Sequence, residues 1–365
     1  MGSVWGNNLK LSIFGESHGG GIGCVLDGFP SGVPYDEAFV LAEMDRRAPG
    51  KNRQSTARRE KDLPKVLSGV FENKTTGTPI SCVIENTDTR SGDYKNLIEH
   101  PRPGHADYTG RVRFGGCNDP RGGGHFSGRL TAPLVFAGAM CKLFLKSKGI
   151  EVGSHIAAIG QIMDTPFDDL HVPTEQLTAL REQAYPVINP RAQQAMLDLI
   201  EQARESQDSV GGIIECAVTG LPVGLGSPML QPAEGRISSL LFSVPAVKGV
   251  EFGAGFAISS MFGSEANDRM VMEDGVVRTE TNNNGGILGG ITSGMPIIVR
   301  AAIKPTPSIS KEQLTLNLTS GQTEPLVIKG RHDPCIVTRA APVIEAAVAI
   351  AITDLYMEAY GYASN

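Results

Sequence analysis

The sequence contains little that would tie the protein to a membrane, a disulfide scaffold or a metal framework. One of its 365 residues is Trp, only 6% are aromatic, and no apolar run reaches the roughly 18 residues needed to span a bilayer. Six cysteines, at positions 24, 82, 117, 141, 216 and 335, include no C-x-x-C pair, which favours free thiols in a reducing cytoplasm over disulfides or zinc ligands. The first 19 residues have no apolar core followed by a cleavage site, so we do not interpret them as a signal peptide.

Acidic residues outnumber basic residues only slightly, 39 to 33, but the basic residues are concentrated in one stretch. The net charge is −6, which does not favour nonspecific binding to nucleic acid. Residues 46–61 nevertheless hold a single acid, Glu60, and seven basic residues, namely Arg46, Arg47, Lys51, Arg53, Arg58, Arg59 and Lys61. Two interpretations stay open: a solvated loop, or a loop that binds an anionic small molecule.

The apolar pattern predicts both strands and helices. Val- and Ile-rich segments bounded by Gly, Pro or Asn predict strands at 10–14, 22–26, 66–71, 80–85, 150–162, 213–218, 250–252 and 297–303. Helical periodicity predicts helices at 35–46, 134–148, 190–205 and 341–360. The last of these is apolar nearly all round in its first half, so we expect it to be buried.

Two pairs of similar segments indicate an internal duplication. Residues 22–32, IGCVLDGFPSG, parallel residues 214–224, IECAVTGLPVG. A second pair follows in the same order, with Asp-Pro and then Ala-Pro at 119–120 and 132–133, and again at 333–334 and 341–342. We predict two related halves, 10–149 and 205–360, joined by the more polar residues 164–208 within a single domain that spans 1–365.

Three histidines lie beside a carboxylate in turn-rich segments: Glu16-Ser17-His18, Gly104-His105-Ala106-Asp107 and Arg331-His332-Asp333. Imidazole can donate and accept protons near neutral pH, and a nearby carboxylate can orient it. A single loop histidine is more often a surface residue, but three such clusters favour an active site. A metal site and a Ser17–His18 nucleophile are weaker alternatives, because no H-E-x-x-H motif is present and neighbouring residues seldom present their side chains to each other.

Glycine-rich backbone accompanies these clusters. Residues 121–129, RGGGHFSGR, lead into a predicted helix, where consecutive N–H groups can seat an anion together with Ser127 and Arg129. Residues 282–290, NNNGGILGG, suit the edge of a planar amide-like ring, and residues 304–308, KPTPS, end a strand with a cation and two hydroxyl groups. The absence of G-x-G-x-x-G argues against a Rossmann site.

Seven segments resemble those of chorismate synthases and occur in order along nearly the whole chain. They are GESHG (15–19), DRRAPGKNR (45–53), RPGHAD (102–107), GGGHFSGR (122–129), NNGGILGGITSG (283–294), KPTPS (304–308) and GRHDPC (330–335). The resemblance implies an α+β fold of the β-α-β sandwich type, a homotetramer and a cytoplasmic lyase. It also implies the last common step of the shikimate pathway, an anti 1,4-elimination of phosphate from 5-enolpyruvylshikimate 3-phosphate that needs reduced FMN without net redox change.

The same resemblance implies residue roles. His18 and His105 should carry protons, Asp333 should help the flavin accept the substrate proton, and Ser17 should support that network. Anion contacts are expected at Arg47, Arg53 and Arg129, the first two also associated with NADP, so NADPH or a separate flavin reductase stays open as the source of electrons. Flavin contacts are expected at His125, Phe126, Ser127, Gly289, Lys304, Pro305, Thr306, Pro307, Ser308 and Arg331.

Two residues depart from the family pattern, and two other functions stay open. Many members have Arg-x-Ser-x-Arg-Glu-Thr where this chain has His125 in place of the first Arg and Leu130 in place of the Glu. The alternatives are an FMN oxidoreductase and a noncatalytic protein that binds an anion or a flavin. Only the lyase would release phosphate without consuming reductant.

Overall fold

Two five-stranded antiparallel sheets enclose the most apolar helices in the computed structural model, which describes residues 3–49, 60, 62–87, 97–328 and 332–361. The described strands are β1 Val4–Trp5, β2 Lys10–Gly15, β3 Gly21–Asp27, β4 Lys65–Ser68, β5 Val70–Phe71, β6 Lys74–Thr75, β7 Ile80–Glu85, β8 Glu151–Ile159, β9 Ile162–Met163, β10 Gly212–Thr219, β11 Val247–Phe252, β12 Met270–Glu273, β13 Val276–Thr279, β14 Ile287–Leu288, β15 Ile291–Thr292, β16 Ile297–Ile303, β17 Gln313–Leu316 and β18 Thr323–Leu326. The described α-helices are α1 Glu37–Arg47, α2 Asp107–Arg113, α3 Thr131–Ser147, α4 Thr174–Arg181, α5 Pro190–Glu205, α6 Ala233–Leu241, α7 Gly263–Ala266 and α8 Ala341–Tyr360.

The two large sheets share one order of connection for four of their five strands, while the edge strands differ, because β1 precedes β2 in the chain and β9 follows β8. The first sheet runs β1-β2-β3-β7-β4, and the second, taken from its other edge, runs β9-β8-β10-β16-β11. In each sheet a helix follows the second long strand, α1 in one and α6 in the other, and a long buried helix follows the last strand, α3 or α8. The duplication stays a prediction, and under this order of strands a second half would begin at β8 rather than at residue 205. The polar residues 164–208, which carry α4 and α5, then form an insertion.

The buried layer between the sheets consists mainly of α3 and α8. The first helix packs on β3 and β7, the second packs on β8 and β10, and the two pack on each other. They approach closely at Gly138, where a Cβ would lie 2.2 Å from Cβ of Ala346. Residues 128–147 are long and apolar enough to cross a membrane by length and composition, yet 83% of that window is buried inside the protein. Such burial is typical of a core helix.

The structure interrupts two of the predicted strands and adds short elements. The predicted strand at 66–71 is divided at Gly69, whose φ is 87° and where a Cβ would lie 2.6 Å from Ile80. The predicted strand at 150–162 is divided by a turn at 160–161 into β8 and β9. The hydrophobic pattern predicted neither α4 nor the hairpins β12–β13 and β17–β18, whose strands have four residues each.

A buried histidine ties the polar insertion to the second sheet. His155 on β8 is fully buried, with Nδ1 2.9 Å from Oδ2 of Asp164 and Nε2 2.8 Å from Oε2 of Glu215. Because both partners are carboxylates, both ring nitrogens donate, so the ring is an imidazolium. Burial acts to lower the pKa of His155, but the two hydrogen bonds outweigh it and raise the pKa. Asp164 also accepts the N–H groups of Ile188 and Asn189 beside α5.

We expect His155→Ala to lower the free energy of unfolding by about 3–5 kcal/mol, because it leaves two carboxylates buried without the imidazolium. The raised pKa makes the contribution of His155 complete below its unfolded pKa of about 6.5 and lost as the pH rises through the folded pKa. The pKa values of Asp164 and Glu215 are lowered, so their contribution is lost only in acid. Urea unfolding at several pH values should show a wild-type advantage that is largest between about pH 4.5 and 6.5 and narrows above it.

The matched control is His171→Ala, because His171 is exposed. That change should alter the free energy of unfolding by less than about 0.5 kcal/mol. A wild-type advantage that grows with rising pH would contradict the charged ring.

Candidate active site

One large cleft collects most of the predicted site residues. Its volume is about 1300 Å³, larger than the roughly 300–1,000 Å³ of a usual small-molecule pocket. Its walls include the loops that follow β2 and β16 and those that precede α2, α3 and α8. The predicted residues that line it are His18, Arg47, His105, His125, Phe126, Ser127, Arg129, Lys304, Thr306, Pro307, Ser308 and Asp333.

The glycine turn 122–124 contacts both predicted proton carriers. Its three glycines have φ values of 59°, 83° and 53°, in the region that other residues rarely adopt. A Cβ on Gly122 would lie 2.1 Å from Nδ1 of His18, and a Cβ on Gly123 would lie 3.1 Å from Nε2 of His105. The two imidazoles therefore pack against consecutive residues of one turn, where only glycine leaves room for both.

The segment GESHG connects the antiparallel strands β2 and β3 and is fastened to the same turn. The N–H of Ser17 donates to the carbonyl of Gly124 at 3.2 Å, and Nδ1 of His125 donates to the carbonyl of Gly15 at 2.9 Å. Ser17 is fully buried and His18 is 9% exposed. The letters of this segment match the G-x-S-x-G nucleophile pattern, but that motif needs a strand-to-helix elbow, and here two strands are joined. The geometry therefore does not favour a Ser17 nucleophile.

Cations dominate the described part of the cleft wall. One carboxylate, that of Asp333, lines the cleft together with seven basic side chains, those of Arg47, Arg102, Arg113, Arg129, Lys248, Lys304 and Arg339. Four of the seven cations are paired with carboxylates, Arg47 and Arg129 with Asp62, Arg102 with Asp107 and Arg339 with Asp333. The wall keeps an excess of positive charge after these pairings, and such a concave surface concentrates anionic ligands. The net charge of the chain, −6, is therefore no guide to the charge of its cleft.

The first two residues of the basic stretch do not lie in a loop, so that interpretation was wrong for them. Arg46 and Arg47 form the last turn of α1, and Arg47 is only 4% exposed. Arg47 donates from Nη1 to Asp62 and from Nε to Oγ1 of Thr131 at 3.1 Å. Arg46 bonds to Glu345 at 2.7 and 2.8 Å. The remaining basic residues of the stretch, Lys51, Arg53, Arg58, Arg59 and Lys61, lie outside the described residues.

A buried carboxylate, Asp62, holds two of the predicted anion contacts in place. Arg47 and Arg129 both donate to it, and Nη2 of Arg129 lies 2.6 Å from Oε2 of Glu60. Burial acts to raise the pKa of Asp62, but the two guanidinium groups outweigh it and lower the pKa below its ordinary value. Both arginines line the cleft, so ionised Asp62 keeps two cations at its wall.

The KPTPS segment is bonded to the RPGHAD turn. Nζ of Lys304 donates to the carbonyl of Gly104, and Nη1 of Arg102 donates to Oγ of Ser308 at 3.0 Å. Oγ1 of Thr306 is buried and has no hydrogen-bond partner among the described residues, although Thr306 lines the cleft. This wall therefore offers a hydroxyl group that a bound molecule can satisfy.

An arginine that the sequence did not single out holds Asp333. Nη1 of Arg339 donates to Oδ2 of Asp333 at 2.9 Å, and its Nε donates to the carbonyl of Arg47 at 3.1 Å. Arg339 thus connects the segment before α8 to the end of α1. Arg331, the other predicted residue of this segment, lies outside the described residues. Among the described residues, no three His, Cys, Asp or Glu side chains are arranged to hold a metal ion.

Two predicted flavin contacts lie apart from the cleft wall. Gly289 is in the turn of the β14–β15 hairpin with φ of 61°, and Pro305 is exposed. The amide-rich segment before this hairpin serves the protein itself, since Nδ2 of Asn282 donates to the carbonyl of Pro296 at 2.9 Å and its Oδ1 accepts the N–H of Gly286 at 2.7 Å. The flavin roles of Gly289 and Pro305 stay predictions that this cleft does not support.

The chain is similar over nearly its whole length to proteins of one family. The family model described as chorismate synthase matches residues 9–357. Chorismate synthases from Thermococcus kodakarensis and Methanocella arvoryzae are 46% and 48% identical to it, over 96% and 97% of this chain and 96% and 94% of theirs. The crystal structure of a chorismate synthase matches with a TM-score of 0.75 at 30% identity, covering 98% of this chain and 94% of that one.

Proposed function

This chain belongs to the chorismate synthase family, and we propose that it converts 5-enolpyruvylshikimate 3-phosphate to chorismate by an anti 1,4-elimination of phosphate. The family expected from the motifs is confirmed, as is the α+β fold, and the enzyme class is that of carbon–oxygen lyases acting on phosphates. In the proposed reaction one C–O bond to phosphate and one C–H bond break. No reductant is consumed, and the product serves the biosynthesis of aromatic amino acids.

The observation that carries the proposal is a cationic cleft in which two histidines share one glycine turn. The substrate has a phosphate and two carboxylates, and seven basic side chains line the cleft. Guanidinium groups bind phosphate and carboxylate oxygens with charge-assisted hydrogen bonds. His18 and His105 supply groups that can give and take protons within reach of the same ligand.

The described residues fit reduced FMN as the cofactor. The cleft exceeds the size of a usual single-ligand pocket, and Oγ1 of Thr306 is a buried hydroxyl in its wall without a partner among the described residues. We expect FMN to be held by His125, Phe126 and Ser127 on one side and by Lys304, Thr306, Pro307 and Ser308 on the other. Reduced FMN, when bound, supplies electron density for the elimination without being consumed.

The side chains of the cleft then have separate tasks. Arg47 and Arg129, fixed by Asp62, bind anionic groups of the substrate. His105 delivers a proton to the departing phosphate, and His18 holds a proton beside the flavin and the substrate, with buried Ser17 supporting it. The carboxylate of Asp333 helps to receive the proton that the substrate loses.

Assembly, electron supply and location also belong to the proposal. Large exposed apolar side chains are frequent between residues 223 and 277, including Met229 at 87%, Leu230 at 89%, Phe256 at 83% and Phe262 at 77% exposure. Exposed apolar surface of this kind marks protein contacts, which supports a homotetramer. NADPH, or a separate flavin reductase, is the proposed source of electrons for FMN. We place the enzyme in the cytoplasm, without a nucleic-acid or membrane partner.

The test is an anaerobic assay with photoreduced FMN that measures phosphate, chorismate and reduced flavin together. We expect one phosphate and one chorismate per substrate molecule, with the amount of reduced FMN unchanged. Consumption of reduced FMN in step with product would favour an oxidoreductase. Saturable FMN binding without any release of phosphate would favour a noncatalytic binding protein.

A further inference from the structure

The RPGHAD turn contains a carboxylate that is bonded on both sides. Oδ2 of Asp107 accepts from the backbone N–H and from Nε of Arg102, at 3.0 and 2.7 Å. Oδ1 accepts from Nη2 of Arg102 at 2.7 Å and lies 2.6 Å from Nδ1 of His105. The guanidinium group of Arg102 therefore bonds to both carboxylate oxygens of Asp107, and Oδ1 also contacts the predicted proton carrier His105.

The shortest of these contacts decides which hydrogen His105 carries. Nη2 of Arg102 also lies 3.0 Å from Nδ1 of His105, but a guanidinium group only donates, so this contact would need a bare Nδ1. The 2.6 Å contact to the carboxylate of Asp107 is shorter and needs a hydrogen on Nδ1. We therefore assign the Nδ1 hydrogen to the bond with Asp107.

The other ring nitrogen then faces the glycine turn. Nε2 of His105 would lie 3.1 Å from a Cβ on Gly123, and His105 lines the cleft, whereas Asp107 does not. Burial acts to raise the pKa of Asp107, but the hydrogen bonds from Arg102 and His105 outweigh it and lower the pKa well below its usual range. The carboxylate of Asp107 is therefore ionised at neutral pH.

We propose that Asp107 is a positioning residue that acts through His105: it holds the imidazole with Nε2 toward the cleft and stabilises the imidazolium, while Arg102 holds Asp107 in place. This inference rests on the proposed function, in which His105 gives a proton to the departing phosphate. Arg102, which also lines the cleft, bonds through Nη1 to Ser308 and through Nη2 to Asp107. A carboxylate that orients a catalytic imidazole in this way is a recurring arrangement in enzymes.

A purely structural role is the competing explanation, because Asp107 is also the first residue of α2. The two explanations differ in what depends on His105. If Asp107 only starts the helix, its loss changes stability and leaves the pH profile of the reaction in place. If it acts through the imidazole, its loss changes the pH profile and matters little once the imidazole is gone.

The experiment compares Asp107→Asn, His105→Ala and the double variant in the anaerobic phosphate-release assay across pH. We expect Asp107→Asn to lower kcat about 10²-fold with a smaller change in KM, the low end of what one positioned acid or base contributes. The alkaline limb of its kcat profile should move to lower pH, because the imidazolium has lost its counter-charge. In the His105→Ala background the same change should cost less than about 3-fold, since residues that act as a unit are not additive.

Asp107→Glu should recover part of the lost kcat, and Asp208→Asn, which removes a surface carboxylate paired with Lys311, should leave kcat unchanged. Thermal unfolding of each variant shows whether it is folded. Proton-detected NMR of isotope-labelled histidine in the wild-type enzyme should find the hydrogen on Nδ1 of His105, which tests the assignment even if a variant fails to fold.

The proposal would be overturned if Asp107→Asn lowered kcat equally in the wild-type and His105→Ala backgrounds, or if it left the pH profile of kcat unshifted. A hydrogen absent from Nδ1 would overturn it as well. If the wild-type enzyme releases no phosphate, the proposed function fails instead, and the NMR result still reports on the Asp107–His105 bond.

Discussion

His18→Ala is expected to lower kcat by about 10²–10⁴-fold, the usual contribution of one positioned acid or base. The imidazole is buried against the Gly122 backbone in the cationic cleft, so water is a poor substitute for it. FMN should still bind, because the residues expected to hold the flavin lie on other segments of the wall. Phosphate release and calorimetric titration with FMN measure the two effects separately. His105→Ala should lower kcat in the same range.

The Gly122→Ala variant tests the same geometry without removing the histidine. An added Cβ would lie 2.1 Å from Nδ1 of His18, at a φ of 59° that alanine rarely adopts, so the ring must move or the turn must open. We expect a loss of kcat approaching that of His18→Ala. Gly263→Ala is the control, since a Cβ there has no neighbour within 4 Å and Gly263 does not line the cleft. If the His18→Ala variant keeps near-normal turnover across pH, His18 has a structural role and is not the catalytic acid or base.

The sequence predicted well which segments form the site, but it did not predict the hydrogen bonds that join those segments. GESHG, RPGHAD, GGGHFSGR and KPTPS each carry chemistry within a few consecutive residues, so their letters were enough to group them in one site. The bonds that hold the site join residues far apart in the chain, as in Arg339 to the carbonyl of Arg47, 292 positions earlier. No local pattern distinguishes such an arginine from a surface one.

The helices and strands show the same difference: those with a local sequence signal were predicted, and those that depend on distant contacts were not. Asn189 caps α5 and Pro190 opens it, and α8 begins with Pro342 in its first turn, so both helices were predicted at their observed bounds. The strands of β12–β13 and β17–β18 are mostly exposed. Polar and apolar residues alternate in β17, but its apolar residues, Leu314 and Leu316, are the exposed ones. The hydrophobic pattern is informative where one face is buried, and these hairpins have little buried face.

Arg47 shows where charge counting along a sequence fails. A run of seven basic residues with one acid predicts a loop. The net charge of a segment, however, does not show which carboxylates from other segments pack against it in the folded protein. Asp62, just beyond the run, is 2% exposed and pairs with Arg47. A residue that a solvated loop would leave free is therefore part of the core as well as of the cleft wall.

Arg47→Ala should therefore destabilise the fold as well as weaken substrate binding. Removing one partner of a buried ion pair costs about 3–5 kcal/mol, and we expect the lower end because Arg129 still donates to Asp62. Urea unfolding measures this loss, and calorimetric titration with substrate measures the second effect. The control is Arg204→Ala, which breaks an exposed pair with Glu201 on α5 and should leave the free energy of unfolding almost unchanged.

A second variant, Asp62→Asn, distinguishes the effect of Arg47→Ala on stability from its effect on substrate binding. It keeps the guanidinium group of Arg47 but removes the charge of the carboxylate that holds it. Loss of stability in both variants, with substrate affinity reduced more by Arg47→Ala, would mean that Arg47 binds the substrate directly and Asp62 only fixes it. Equal losses of affinity would mean that the ordered pair, rather than the arginine alone, forms the anion site. Unchanged stability in Arg47→Ala would contradict the buried ion pair, and unchanged affinity would remove Arg47 from the substrate site.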